Sequence, residues 1–257
     1  MRKFYSALKY ICITALVISL IALIAVVAYV LINGVDKLSL DLLFGEYKDT
    51  PSILPAFIGT LQLVVIAAII AVPVGVASAI FLVEYTNNKG KFVKIVQIAT
   101  ETLAGIPSIV YGLFGYLIFV VTFGWGYSML AGGITLAIMI LPTIVRSTQE
   151  SLLSVQGGLR EGAYALGTSK VRTIFKIVLP SAAGGIVTAI ILAIGRVVSE
   201  SAVLILTIGM VVNKVPETLM APGTSLALDI YYFASHGYPD EAAATAVVPP
   251  RREKTCL

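Results

Sequence analysis

An all-α, polytopic membrane fold is what this sequence predicts, on three observations. Hydrophobic residues fill 58% of 257 positions and charged residues only 12%, a balance far from that of water-soluble domains. Uncharged runs cover residues 10–35, 50–83 and 102–145, each at least as long as the roughly 20 residues a helix needs to cross a bilayer. Lys and Arg gather in alternate connecting segments, the asymmetry that orients multi-span proteins. The net charge of +4 is small, and no basic tract with interleaved aromatics points to nucleic acid. Cys12 in an apolar run and Cys256 near the end suggest neither a structural disulfide nor a metal site, and the lone His236 reads as a loop residue.

Taken in order, residues 1–9 carry Arg2, Lys3 and Lys9 with no acid and form a cytoplasmic N-terminus. The run that follows is too long for a signal peptide and lacks a small-x-small cleavage site, so a retained first span over about 10–33 is expected. Asp36–Pro55 leans acidic and reads as an external loop. A second span covers about 58–84, kinked at Pro73, and Lys89, Lys91 and Lys94 put the next loop inside.

The run from 102 to 145 is too long for one helix. Gly124-Trp125-Gly126 divides it into spans of about 101–123 and 128–147, with Trp125 and Tyr127 at the interface. Dense Gly and Pro between Gly105 and Gly115 predict close helix packing or a broken helix lining a cavity. Arg146 and an elbow over 148–180 lie inside, a fifth span runs over about 181–212, and Lys214–Glu241 is an external loop. The outside loops then hold only Lys37, Lys48 and Lys214, which sets the N-terminus inside. The membrane region extends to Val248. Glu241–Val248 starts like a sixth span, but Pro249-Pro250-Arg251-Arg252 stops it. Five spans are therefore expected, with a truncated or frame-shifted sixth and an atypical basic tail at 249–257.

The elbow has its own local chemistry. Leu159, Ala163 and Leu166 fall at i, i+4 and i+7 and predict one apolar stripe on a short helix. Gly167 suits a left-handed position just past its end, Thr168 or Ser169 an N-cap for the next helix, and Pro180 the opening of the long apolar segment. Glu161, Ala163, Gly167, Ile177, Leu179 and Pro180 resemble, in identity and interval, the Glu-Ala-Ala (EAA) loop of ABC importer permeases. Gly162 departs from that pattern, standing where the family has its first Ala. The resemblance implies a type I ABC importer permease fold. It makes Glu161, Gly162, Ala163, Leu166 and Gly167 the surface that docks into a separate ATPase subunit, with Glu161 near a helix N-terminus where negative charge is favoured.

Arg196 and Glu200 stand four residues apart within the fifth span, on one face of a continuous helix, with the hydroxyls of Ser199 and Ser201 beside them. Arg at the centre of a span costs roughly 2.5–3.5 kcal/mol, so such a residue faces a partner or a cavity. One reading is an ion pair that neutralises itself. The other is an anion path lined by Arg196, Glu200 and Ser199. Monoprotonated phosphate fits this second reading, since Arg196 attracts its charge while Glu200 accepts its proton, which sulfate lacks. Glu101 has a weaker claim to the same path.

Pro107–Phe114, Leu141–Arg146, the elbow, Gly195–Glu200 and Leu226–Tyr231 together resemble permease subunits of phosphate-specific ABC importers. That family implies a complex in the cytoplasmic membrane with a second homologous permease, a pair of cytoplasmic ATPase subunits and an external phosphate-binding protein. The chain carries no Gly-x-x-x-x-Gly-Lys-Ser/Thr loop: Gly90-Lys91 is followed by Phe92. It is expected not to be an enzyme and to hold no cofactor, ATP and Mg belonging to the partner ATPase. A permease for molybdate or sulfate, or a truncated membrane subunit serving assembly or signalling without transport, are the alternatives.

Overall fold

A computed structural model describes residues 2–35, 53–86 and 90–236. The expected external loop after Asp36, Lys89, the interrupted sixth span at Glu241–Arg252, and Cys256 lie outside the described residues. The chain divides into two compact units, Met1–Leu54 with Asp229–Leu257, and Pro55–Leu228. In the first, α1 (Arg2–Val35) is a single helix whose segment Lys9–Tyr29 has a mean hydropathy of 3.0. Between its ends such a helix satisfies its backbone polar groups internally, so the side chains of a membrane-crossing stretch can all be apolar.

The second unit begins with α2 (Leu54–Ile80), which a π-helical turn extends over Phe81–Tyr85. Next come α3 (Lys91–Ala104) and α4 (Ser108–Gly115), the latter prolonged by a π-helical stretch over Tyr116–Thr122. A hairpin leads to α5 (Met129–Leu153), and the elbow helix α6 (Gly157–Ala165) follows. Then α7 (Lys170–Thr173) runs through a π-helical turn (Ile174–Val178) into α8 (Leu179–Val198). Of the two short helices that close the described chain, α9 (Ala202–Thr207) belongs to this unit, and α10 (Leu226–Ser235) belongs to the first unit from Asp229 onward. Among the described residues four helical segments are long and apolar enough to cross a membrane, and α3 with α4 makes a fifth if the bent pair is one span.

The post around which this unit is built is α5. Its most apolar stretch is 67% buried, against 28% for α2 and for α7–α8. Leu136, Met139, Ile140 and Ile144 of α5 meet Leu63, Ala67 and Ala71 of α2, Ala193 and Val197 of α8, and Val203 and Leu204 of α9. In lipid, apolar side chains gain little by leaving one apolar medium for another, so close approach by small residues drives such packing. Gly75 accordingly lies against Ile144, Gly133 against Ile66 and Gly115 against Thr135. The N-terminus of α5 is sewn to the segment after α9. Met129 N–H donates to the Ala221 carbonyl and Leu130 N–H to that of Leu219, while the Ser128 hydroxyl accepts from Ala131 N–H. These bonds answer donors that a helix start leaves free.

Both glycines of the expected hairpin turn have left-handed backbone, Gly124 at φ 68° and Gly126 at φ 66°, and Trp125 between them stacks on Phe119 at 5.5 Å. Elsewhere the helices depart from the sequence reading. Instead of one span over 101–123, the chain arrives as α3, turns through 97° and leaves as α4. Pro107 cannot donate to the Leu103 carbonyl four residues back, which accepts instead from Ile106 N–H at 3.1 Å and from the Tyr111 hydroxyl at 2.9 Å. The expected fifth span over 181–212 is likewise interrupted, since α8 ends at Val198 and α9 starts at Ala202. Pro180 does stand in the first turn of α8, as expected, but the helical stretch runs on from Lys170, and the wide π turn over Ile174–Val178 lies just ahead of the proline's missing N–H.

Candidate functional site

The two interruptions meet. α4 and α9, the helices leaving each break, touch backbone to backbone. A Cβ on Gly112 would stand 3.0 Å from Val203 Cα and 3.2 Å from the Ala202 carbonyl oxygen. Broken helices that converge at one level are how membrane proteins bring polar backbone ends to a buried site.

Arg196 lies here, in the last turn of α8 rather than mid-helix, half-buried, with its charge acting on the Tyr111 phenol of α4. A cation at a helix C-terminus is favoured by the carbonyls that end there, which offsets part of its cost in the membrane. It makes no ion pair among the described residues.

Glu200 is not the i+4 partner expected of it. The helix stops before reaching it, and its Oε1 instead accepts from Ala202 N–H at 3.1 Å and Val203 N–H at 3.3 Å, capping α9. A carboxylate at a helix N-terminus gains from both the hydrogen bonds and the dipole, and that local gain ends α8 where a continued helix would have paired Glu200 with Arg196. Ser199 is exposed and its hydroxyl donates to the Arg196 carbonyl, so it serves the helix end. Glu101 lies elsewhere, bridged to Arg146 at 3.2 Å, and Arg146 also reaches Glu150 at 3.1 Å.

At the other end of α8 lies the elbow. Gly167 has φ 77°, the left-handed position its place past α6 calls for, and its N–H donates to the Tyr164 carbonyl. Of the two candidate caps it is Ser169 that caps α7, accepting from Arg172 N–H at 3.5 Å, while the Thr168 hydroxyl donates to the Ala163 carbonyl. The expected apolar stripe divides. Leu159 is 46% and Leu166 86% exposed, and Ala163 is the one residue of α6 that is buried. Glu161 and Gly162 are exposed as well. Because α6 starts at Gly157, Glu161 stands past the first turn, which holds no acid, and not near the helix N-terminus as expected.

One residue the sequence reading passed over anchors this elbow. Glu84, in the π turn ending α2, pairs with Arg160 of α6 at 3.0 Å, with side chains 6% and 19% exposed. A lone acid closing a long uncharged run was its only signal in the sequence.

The geometry thus defines a helical protein with several helices long and apolar enough to cross a membrane, a charged elbow between two of them, and a cluster of broken helices that holds an arginine. The chain belongs to the family described as binding-protein-dependent transport system inner membrane component, whose model matches residues 71–235. The probable ABC transporter permease protein YqgI of Bacillus subtilis (strain 168) is 32% identical over 239 residues, which is 87% of this chain and 81% of that relative. The phosphate transport system permease protein PstA of Mycobacterium leprae (strain TN) is 42% identical over 154 residues, 60% of this chain and 50% of its own length. Among solved structures, the inward-facing MetNI methionine ABC transporter shares the fold with a TM-score of 0.58 at 21% identity, over 76% of this chain and 84% of that one. The protein is a multi-pass inner-membrane component.

Proposed function

We propose that this chain is a permease subunit of an ABC importer that carries inorganic phosphate across the cytoplasmic membrane, driven by ATP hydrolysis on separate subunits. Its N-terminus faces the cytoplasm. Its partners are a pair of ATPase subunits, which bind ATP and Mg, a second homologous permease, and an external phosphate-binding protein. Support for phosphate comes from the similarity to PstA permeases of phosphate transport systems. The observation that carries the mechanism is Arg196, half-buried and without an ion-pair partner among the described residues, where two broken helices meet.

In this mechanism, closure of the ATPase pair moves α6, whose exposed Glu161 and Gly162, with Leu166 and Gly167 just past its end, form the docking surface, Ala163 being buried behind them. The attached helices then rock, exposing Arg196 first to one side and then to the other. Arg196 attracts the anion. Glu200 keeps its cap through Oε1, and its second oxygen, without a partner among the described residues, accepts the proton of monoprotonated phosphate.

The cap also favours a second reading. A carboxylate committed to α9 leaves Arg196 to act alone, which suits sulfate or molybdate equally. ATP-dependent uptake by vesicles holding the whole complex decides between them. Phosphate uptake that sulfate does not inhibit and that Arg196→Ala abolishes supports phosphate import. Inhibition by sulfate supports the second reading, and normal uptake by Arg196→Ala removes the residue from the path.

A further inference from the structure

We propose that Arg160 and Glu84 form the joint through which movement of the elbow is passed to the second membrane segment, as a pair of positioning residues. The Arg160 guanidinium donates from Nε and Nη2 to Glu84 Oε1, from Nη1 to the Val155 carbonyl at 2.8 Å, and from Nη2 to the Leu152 carbonyl at 2.8 Å. One planar fork therefore ties α6 to the end of α2 and to the C-terminal end of α5. A rigid set of donors holds three elements in one geometry, which the flexible single point charge of a lysine does not do.

The pair is shielded. An apolar cluster of Ala79, Val83, Leu152, Val155, Val178 and Ala182 occupies the same junction, with Val83, Leu152 and Val155 contributed by the very segments the fork joins. A buried ion pair that loses one partner strands the other, so the joint resists being pulled apart. An independent contact points the same way. Lys170, on the far side of Gly167, lies over the Tyr85 ring with its ammonium 4.8 Å from the centroid. Neighbouring residues in one π turn are thus each engaged by a cation, Glu84 from the first half of the elbow and Tyr85 from the second.

This inference rests on the reading of the elbow as the ATPase docking element, and its test does not depend on which anion is carried. In the reconstituted complex, with Cys12 and Cys256 replaced by serine, a fluorophore on Thr86→Cys reports movement at the end of α2. Phosphate uptake is recorded separately. In the otherwise unchanged chain the probe responds to ATP. Glu84→Gln and Arg160→Lys each reduce the response per assembled complex about fivefold or more, and the double variant is no worse than either single one, as expected of two residues acting as a unit. A probe that ignores ATP, single variants with an undiminished response per complex, or a double variant whose loss is the product of the two would each overturn the joint. A responding probe in a complex that takes up no phosphate overturns the phosphate reading and leaves the joint standing.

Discussion

Gly112 of α4 lies against the backbone of Val203 in α9, and that contact fastens one broken helix to the other. The atoms a new side chain would meet are Val203 Cα and the Ala202 and Val203 carbonyl oxygens, all backbone, so no rotamer change relieves it. Gly112→Ala is expected to destabilise the fold by about 1–3 kcal/mol through overpacking. Gly184→Ala in α8, with nothing within 4 Å of the added methyl, should be neutral or stabilising by about 0.5–1 kcal/mol. Thermal melts of the two variants in the same detergent compare them directly. Equal midpoints would mean the helices are not held this closely.

Leu166 is 86% exposed at the tip of the elbow, whereas Ala163 beside it is buried. If the open leucine is what an ATPase subunit covers, a charge there should break the complex without harming the chain. Leu166→Asp is therefore expected to abolish co-purification with the ATPase while changing stability by less than about 0.5 kcal/mol, as for surface substitutions generally. Retained co-purification would assign docking to another part of the elbow.

How much of this was legible in the sequence follows from the range over which each signal acts. Gly167 was readable because its left-handed backbone is a local demand that few other residues meet. The long helices α1, α2 and α5 were readable because each falls within or across an uncharged run long enough to cross a bilayer. The helix breaks were less so. Glu200 suits an i+4 pair with Arg196 and an N-cap equally well in sequence, and the close docking of α9 on Gly112 adds to the local gain of the cap. The Leu159–Ala163–Leu166 spacing gave the right helix but not its orientation, since periodicity does not say whether a partner or the chain itself covers a face. Glu84 and Arg160 are 76 residues apart, beyond any periodic pattern.

The cap on α9 separates the two roles open to Glu200. Gln keeps a carbonyl oxygen where Glu200 Oε1 accepts from Ala202 and Val203 N–H, whereas Ala leaves both donors unanswered. Glu200→Ala is thus expected to cost about 1 kcal/mol, the usual worth of an N-cap, and Glu200→Gln only a fraction of that. Uptake responds to a different property. Neither variant carries the negative charge that would repel sulfate or take the proton of phosphate, so both should transport phosphate slowly and admit sulfate as a competitor. Melting and uptake should then diverge, with the Gln variant nearly as stable as the natural chain yet as poorly selective as the Ala variant. If Glu200→Gln imports phosphate at the normal rate and still excludes sulfate, the carboxylate does nothing but hold the helix. Selectivity would then have to arise from groups other than Glu200 around Arg196.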